Sequence, residues 1–243
     1  MMVVKSMVKT KSHAKKICFI SPGAYSLLVK KNADNMVGPD IHQFILAKEL
    51  IKYNFEITFI TYGSETSVEF TDNIKIIKIR EKTSKAIKAI NICNAMKNAN
   101  ADIYFHAGGV PGIISLFCQL SKKRFVYHIS SDALVNKKII KQKVRGFSRL
   151  FFNPNTFGNW LDIKLADTII VQSQYQKDLL KKNFDKDGFL IKMPFPLTEQ
   201  EMPKKANPPI VLWVGSMSAV KQPELFVKLA EAIPEARFQM IGG

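Results

Sequence analysis

The chain has 243 residues, of which 47% are apolar and 23% charged, and its formal net charge is +16. This apolar fraction is sufficient for a packed core and excludes an intrinsically disordered chain. No apolar run approaches the ~20 residues that span a bilayer, and the lysine-rich start lacks the apolar core of a secretory signal. We therefore expect a cytoplasmic protein with a basic, disordered tail at residues 1–15.

The residues that commonly bind metals show no ligand spacing. Cys18, Cys93 and Cys118 lie in apolar segments without a CxxC pair, which favours buried, reduced thiols. The four histidines share no metal-ligand spacing with a cysteine or with each other, so we predict no metal site and no cofactor. The positive charge favours an anionic partner such as nucleic acid, an acidic membrane or a phosphorylated substrate, unless it is only a solvated lysine-rich surface.

In chain order, strand-length apolar runs alternate with helix-like segments. Strands are predicted at 16–21, 57–62, 74–79, 103–105, 124–129, 168–171 and 189–192. Helices are predicted at 40–53, 85–96, 112–120 and 175–182. This order indicates an α/β fold with a parallel sheet covered by helices on both faces, in which ligands bind at the carboxyl ends of the strands.

A proline-rich stretch separates these elements from a second set. Because proline removes a backbone donor, we predict a first domain at 16–197 and a linker at 198–209. Residues 210–243 then begin a second domain, with strands at 210–214 and 238–241 around a helix at 224–233. One β-α-β unit cannot bury both faces of its strands, so we expect this domain to be incomplete.

Three segments lie where such a fold binds ligands. Gly38, before the first long helix, permits close backbone approach to a phosphate or an anionic sugar substituent. An ordinary loop in which Asp40 caps that helix is the simpler explanation. Two histidines, His106 and His128, follow buried strands, with Gly108 and Asp132 shortly after them. Each histidine is expected to contact either a substrate hydroxyl group or neighbouring backbone. Gly215, Ser216 and Lys221 form a turn before a helix that suits a diphosphate, but Lys221 also fits an ordinary surface position.

The order of these segments resembles the retaining glycosyltransferase family 4 of the GT-B fold. The family's first loop and helix resemble 38–42 and 46–50, its Ala-Asp strand segment resembles 166–173, and its second-domain opening resembles Val214-Gly215 with Lys221. The resemblance covers about residues 16–243. Val37, Ser216 and the pair Gln222-Pro223 depart from the family's usual glycine, arginine and glycine.

The resemblance implies transfer of a sugar, with retention, from a nucleotide diphosphate sugar to a glycan or lipid-linked acceptor, in cell-surface polysaccharide or glycolipid synthesis. It implies that Gly38, Gly215, Ser216 and Lys221 lie at the donor, that His128 lies at the transferred sugar, and that no metal is required. His106, Gly108 and Asp132 are the acceptor-side candidates. The family's paired-glutamate segment would lie beyond Gly243, so we expect the 243-residue chain to be inactive alone.

The stretch 137–151 contains six basic residues and no acidic one. On a helix, Lys138, Lys141, Arg145 and Arg149 oppose an apolar face, which suits either an ordinary surface helix or peripheral binding to an anionic inner membrane surface. Two further functions remain open: a GT-B-like sugar-nucleotide epimerase and a basic anion-binding module. The absence of an aromatic-rich basic sheet motif argues against nucleic acid.

Overall fold

The computed structural model describes residues 15–29, 38–108, 112–136, 154–194, 206–218 and 221–242. The chain divides into two compact units, Met1–Pro196 and Leu197–Gly243. Three expected segments lie mostly or wholly outside the described residues: the basic tail except Lys15, the basic stretch with Lys138, Lys141, Arg145 and Arg149, and most of the linker.

The first unit contains eight strands, six helices and one short 3₁₀ turn among its described residues. The strands are β1 (Lys16–Ile20), β2 (Glu56–Gly63), β3 (Ser67–Thr71), β4 (Ile74–Arg80), β5 (Ile103–His106), β6 (Arg124–His128), β7 (Thr168–Val171) and β8 (Phe189–Leu190). The helices are α1 (Tyr25–Leu28), α2 (Gly38–Lys52), α3 (Lys85–Ala99), α4 (Ile113–Ser121), α5 (Pro154–Leu165) and α6 (Gln174–Phe184), with the 3₁₀ turn at Asp132–Leu134.

The strands form one sheet in the order β3-β4-β2-β1-β5-β6-β7-β8. Every neighbouring pair is parallel except β3 and β4, which are antiparallel. Successive side chains of a strand point to opposite faces, so two apolar cores form. One core packs Cys18 and Ile20 with α3, α4, α5 and α6, whereas the other packs Ile17 and Phe19 with α1 and α2. The predicted parallel sheet with helices on both faces is thereby confirmed.

Apart from the short 3₁₀ turn, three elements of the first unit were not predicted: α1, which has only four residues, β3 and α5. Strand β3 alternates polar and apolar side chains at the sheet edge, and Phe70 on it is 76% exposed, so it lacks the continuous apolar signal of a buried strand. Helix α5 buries the polar side chains Asn159 and Asp162 on its inner face, which weakens its apolar periodicity.

The second unit contains β9 (Ile210–Val214), α7 (Pro223–Ala232) and β10 (Arg237–Ile241), with β9 and β10 parallel. Phe226 of α7 packs on one face of these strands, with its ring centroid 6.5 Å from that of Trp213 and 5.3 Å from that of Phe238. On the opposite face Leu212 is 53% and Val214 67% exposed. The strands of this unit are therefore covered on one face.

Among the residues that the structure describes, none of the helices combines the length and the apolar character that crossing a membrane requires.

Candidate functional site

An open cleft of about 840 Å³ lies at the carboxyl edge of the eight-stranded sheet. Residues that end or follow five of the parallel strands line it: Pro22 and Gly23 after β1, Tyr62 at the end of β2, Glu81 after β4, Ala107 and Gly108 after β5, and Ser130 and Ser131 after β6. Ligands of open parallel sheets bind at this edge, so we take the cleft as the candidate site.

A buried hydrogen-bond cluster fixes the first turn of α2 to the end of β1. Ser21 Oγ donates to Asp40 Oδ1 at 2.5 Å, and Gln43 Nε2 donates to Ser21 Oγ at 3.1 Å and to the Pro39 carbonyl at 3.3 Å. Asp40 is the third residue of α2, so it holds the loop after β1 from inside the helix. The expectation that Asp40 precedes this helix and caps it is therefore corrected. Asp40 and Gln43 line the cleft.

Tyr25 forms another part of the cleft wall, and two side chains from the sheet hold it in place. Its hydroxyl donates to Glu69 Oε2 at 3.2 Å, and Lys78 Nζ lies 3.4 Å from the hydroxyl oxygen and 4.7 Å from the ring centroid. Lys78 in turn forms an ion pair of 2.5 Å with Glu69 Oε1. The aromatic ring is therefore fixed at the cleft by one cation and one carboxylate.

The loops after β5 and β6 close the cleft on its other side. Ser130 Oγ donates to the Ala107 carbonyl at 2.9 Å. Gly108 has φ of +84°, a left-handed conformation that favours glycine, and a Cβ there would lie 3.4 Å from Ser130 Oγ. Of the acceptor-side candidates, Gly108 lines the cleft.

Polar side chains of α5, which the sequence did not single out, support these two loops. Asn159 accepts from the Tyr127 hydroxyl at 2.6 Å and donates to the Leu134 carbonyl at 2.8 Å. Asp162 accepts from the Gly112 N–H at 3.0 Å and from Ser115 Oγ at 2.6 Å at the start of α4. Burial raises the pKa of Asp162 to about 6.

The charge of the cleft is negative among its described lining residues. Asp40 and Glu81 contribute carboxyl groups, and no lysine or arginine of the described chain lines it. Carboxylates accept hydrogen bonds from hydroxyl groups, and tyrosine rings such as Tyr25 and Tyr62 offer flat apolar surfaces. This wall is suited to a ligand that is rich in hydroxyl groups and is poorly suited to a diphosphate.

His128 lies in a smaller, separate pocket of about 220 Å³, which we call the histidine pocket. His128 and His42 line it with Gln43 and Lys192, and its apolar lining consists of Leu46, Phe105, Ile170, Ile191, Met193 and Pro194. The His128 side chain is only 6% exposed. His128 is therefore a pocket residue at the strand end, while its catalytic role stays a prediction.

The protonation of His128 follows from its neighbours. Gln172 Nε2 lies 3.0 Å from His128 Nε2, and because an amide nitrogen only donates, the ring proton lies on Nδ1. Burial first, and the nearby His42 second, lower the pKa of His128 to about 4. The imidazole is thus neutral at pH 7 and is not a fixed cation for a phosphate.

His106 and Asp132, the remaining acceptor-side candidates, lie elsewhere. His106 is fully buried, its Nδ1 donates to the Ile20 carbonyl at 2.9 Å, and burial lowers its pKa to about 4. Asp132 starts the 3₁₀ turn and accepts from Gln176 Nε2 at 2.9 Å. The structure therefore brings only Gly108 of these three into the cleft wall, and their acceptor role stays a prediction.

The donor-side candidates fall in both units. Gly38 opens α2 and is exposed, and a Cβ there would meet only His42 Cε1 at 3.7 Å. In the second unit, Gly215 N donates to the Ile241 carbonyl at 3.1 Å. Lys221 N donates to the Ser218 carbonyl at 2.9 Å, and Ser216 Oγ lies 3.2 Å from Ser218 Oγ. The Lys221 residue is exposed beside the start of α7, so its ammonium group is accessible to a ligand.

The described part of the chain contains no candidate metal site. There, no three histidine, cysteine, aspartate or glutamate side chains are grouped closely enough to hold a metal ion.

Comparison with solved structures identifies the fold. The chain is similar to the sucrose-phosphate synthase of Thermosynechococcus elongatus, with a TM-score of 0.63 and 17% identity over 94% of this chain and 62% of that one. It is similar to a glycosyltransferase of Rickettsia africae, with a TM-score of 0.53 and 13% identity over 95% and 68% of the two chains. It also resembles the UDP-N-acetylglucosamine 2-epimerase of Rickettsia bellii, with a TM-score of 0.55 and 11% identity over 95% and 62%.

These likenesses confirm the predicted α/β fold class of the GT-B type, and at such low identity they show the fold alone. The chain spans about 62% of the length of the sucrose-phosphate synthase. No protein-family model matches the sequence, and no curated protein is significantly similar to it.

Proposed function

We propose that this protein is a retaining, family 4-like glycosyltransferase that transfers a sugar from a nucleotide diphosphate sugar to a glycan or lipid-linked acceptor. The observation that supports this proposal most directly is the acidic cleft with two tyrosine rings at the carboxyl edge of a GT-B-type sheet. Its carboxylates and aromatic rings suit a polyhydroxylated acceptor. Nucleotide-sugar chemistry is supported by the neighbours, which include a glycosyltransferase and an enzyme named for a UDP-sugar.

In this proposal the acceptor and the donor diphosphate bind to different surfaces of the protein. The 840 Å³ cleft of the first unit holds the acceptor, with Gly108 and Glu81 at its wall. Lys221, with the turn at Gly215 and Ser216, contacts the donor diphosphate and stabilises the negative charge that develops on the leaving group. This lysine supplies positive charge without a metal ion. His128, uncharged at pH 7, hydrogen-bonds the transferred sugar.

The test is an assay of nucleotide release with a panel of UDP- and GDP-sugars, with and without glycan and lipid-linked acceptors. The anomeric configuration of the product, measured by NMR, decides between retention and inversion. His128→Ala should lower the rate of transfer without an equal loss of folded protein. Two results contradict the proposal. One is a transfer rate that does not change when residues of the acceptor cleft are substituted, and the other is a product with inverted anomeric configuration.

Glu81 provides a matched pair of variants for the acceptor cleft. Glu81→Gln removes a carboxylate from the lining, and we expect it to raise the KM for the acceptor several-fold with little change for the donor. Glu65 is also exposed and lies outside the cleft lining, so Glu65→Gln is the control. Equal effects of the two variants contradict an acceptor site at the cleft.

Sugar-nucleotide epimerisation is the second candidate function. It is favoured by the likeness to the Rickettsia bellii epimerase, which covers 95% of this chain. An epimerase converts UDP-N-acetylglucosamine to its 2-epimer without an acceptor, whereas a transferase releases UDP when an acceptor is present. NMR of the sugar after incubation with enzyme alone distinguishes the two.

A further inference from the structure

An open groove of about 340 Å³ lies between the edge strand β3 and helix α3. We call it the asparagine groove, because Asn91, Asn94 and Asn98 of α3 line it. They follow one another at intervals of three and four residues, which places their side chains on one face of the helix, and Ala95, which also lines the groove, belongs to the same face. One wall of the groove is therefore a row of carboxamide groups.

These amides are accessible, and most of their hydrogen-bonding capacity is unused by the protein. Asn94 and Asn98 are exposed, and Asn91 is half-buried. Within the described chain, the side chains of Asn91 and Asn94 form no hydrogen bond. Asn98 Oδ1 accepts from Lys75 Nζ at 3.0 Å, which fixes this amide and leaves its two N–H donors available.

The rest of the lining restricts the chemistry of a ligand. Thr66 and Ser67 add hydroxyl groups at the beginning of the edge strand, and Val68, Ile77 and Ile79 add apolar surface. Among the described residues, no charged side chain belongs to the lining. A charged ligand group would therefore lose its hydration without meeting a counter-charge there, whereas an uncharged ligand with both hydroxyl groups and C–H surface finds partners for each.

Both walls of the groove are regular elements whose geometry is fixed before a ligand binds. Helix α3 is capped at its start by Ser84, whose side chain accepts from the Ile87 N–H at 3.3 Å, and it ends at Asn100 in a left-handed conformation. Strand β3 pairs with β4 along its whole length. The spacing of the amides is thus set by the fold, which lowers the entropic cost of ordering them around a ligand.

We propose that the asparagine groove binds a sugar unit of an uncharged glycan. A carboxamide both donates and accepts, as a sugar hydroxyl group does, so amides one helical turn apart contact successive hydroxyl groups of the sugar, while its C–H surface packs on the apolar side chains. The volume lies at the lower end of the ~300–1,000 Å³ that is usual for small-ligand sites. The groove shares no lining residue with the 840 Å³ cleft, and binding there requires neither a donor nor sugar transfer.

Saturation-transfer NMR of the full chain tests this site with defined sugars. Maltotriose, cellotriose and mannotriose are the uncharged probes, and trigalacturonate, which carries carboxylates on a comparable scaffold, is the charged one. We expect at least one uncharged trisaccharide to bind, with its signal strongest at the C–H groups of one sugar unit, and trigalacturonate to bind more weakly.

Substitutions on α3 locate the binding in the groove. Asn91→Leu and Asn94→Leu should each weaken binding of that trisaccharide about fivefold, which corresponds to the loss of one neutral hydrogen bond. Asn94→Gln keeps the carboxamide and should recover part of the affinity. Gln119→Leu removes an exposed carboxamide from α4, outside the groove, and is the matched control that should bind as the wild type does. Because Asn94 is exposed and forms no hydrogen bond with the described chain, its variants are expected to fold.

Four results overturn the inference. They are the absence of a signal from all three uncharged trisaccharides, equal or tighter binding of trigalacturonate, unchanged binding in both asparagine-to-leucine variants, and an equal loss of binding in Gln119→Leu. A trisaccharide that binds only at the acceptor cleft responds to Glu81→Gln and not to the α3 variants, so that result removes the groove and leaves the proposed acceptor site standing. Loss of transfer activity with normal trisaccharide binding at the groove contradicts the proposed function alone.

Discussion

Gly23 lies directly against the carboxylate of Asp40, and a methyl group at residue 23 would overlap Asp40 Oδ2. Asp40 cannot move aside without loss, because it is buried and accepts a hydrogen bond from Ser21. We expect Gly23→Ala to lower the free energy of unfolding by about 1–3 kcal/mol, the usual cost of overpacking. Urea unfolding followed by circular dichroism measures it.

Gly38→Ala is the matched control for this substitution. A Cβ at residue 38 meets nothing nearer than His42 Cε1 at 3.7 Å, and alanine is favoured over glycine in a helix by ~1 kcal/mol. We expect Gly38→Ala to leave the stability unchanged or to raise it slightly. A loss of stability as large as that of Gly23→Ala would show that the Gly23–Asp40 contact does not set the cost.

The buried His106 predicts a dependence of stability on pH. Its pKa is lowered from 6.5 to about 4 by burial, so between these values the unfolded chain binds a proton that the folded chain does not. The free energy of unfolding therefore falls as the pH falls from 6.5 to 4, by up to ~1.4 kcal/mol per pH unit for this group. His128 acts in the same direction, whereas Asp162, with its raised pKa, acts in the opposite one.

Comparison of the wild type with His106→Asn isolates this contribution. Asparagine retains a side-chain N–H for the Ile20 carbonyl but takes up no proton in this range. Urea unfolding at pH 7, 6 and 5 should show a shallower fall in stability for the variant. Parallel pH profiles for the two proteins would mean that the pKa of His106 is the same in the folded and the unfolded state.

The sheet could be predicted because its central strands are apolar on both faces. Runs such as Ile17 to Ile20 and Ile57 to Ile60 have no polar alternation, and helix-length segments separate them, which indicates parallel strands. Strand β3 has neither property, because it lies at the edge and pairs antiparallel with β4. The location of the cleft followed from the same topology, since parallel strands place their carboxyl ends at one edge.

The side chains of the site were harder to predict, because their surroundings depend on contacts between distant residues. His106 and His128 give the same signal in sequence, a histidine at a strand end, yet one is fully enclosed and the other lines a pocket. Gln43 and Tyr25 gave no signal, since their orientation is set by Ser21 and Lys78, 22 and 53 residues away. A pattern within one segment does not contain that information.

The basic stretch 137–151 predicts binding to anionic membranes. If it is an amphipathic helix, Lys138, Lys141, Arg145 and Arg149 share one face, and each basic residue near an anionic surface contributes about 1 kcal/mol. The variant with all four changed to glutamine should sediment with anionic vesicles far less than the wild type, and neither should sediment with neutral vesicles. Equal sedimentation of the two proteins with anionic vesicles would contradict membrane binding by this stretch.

Lys221 predicts where the donor diphosphate binds on the second unit. It is exposed, it follows the turn at Gly215, and it precedes the start of α7. A charge-assisted hydrogen bond contributes ~1.5–3 kcal/mol, so Lys221→Gln should weaken UDP binding about tenfold or more in calorimetric titration. The free energy of unfolding should be unchanged because the side chain is at the surface. Lys228→Gln, at an exposed position within α7, is the control, and an equal loss of affinity in both variants would show only a diffuse effect of charge.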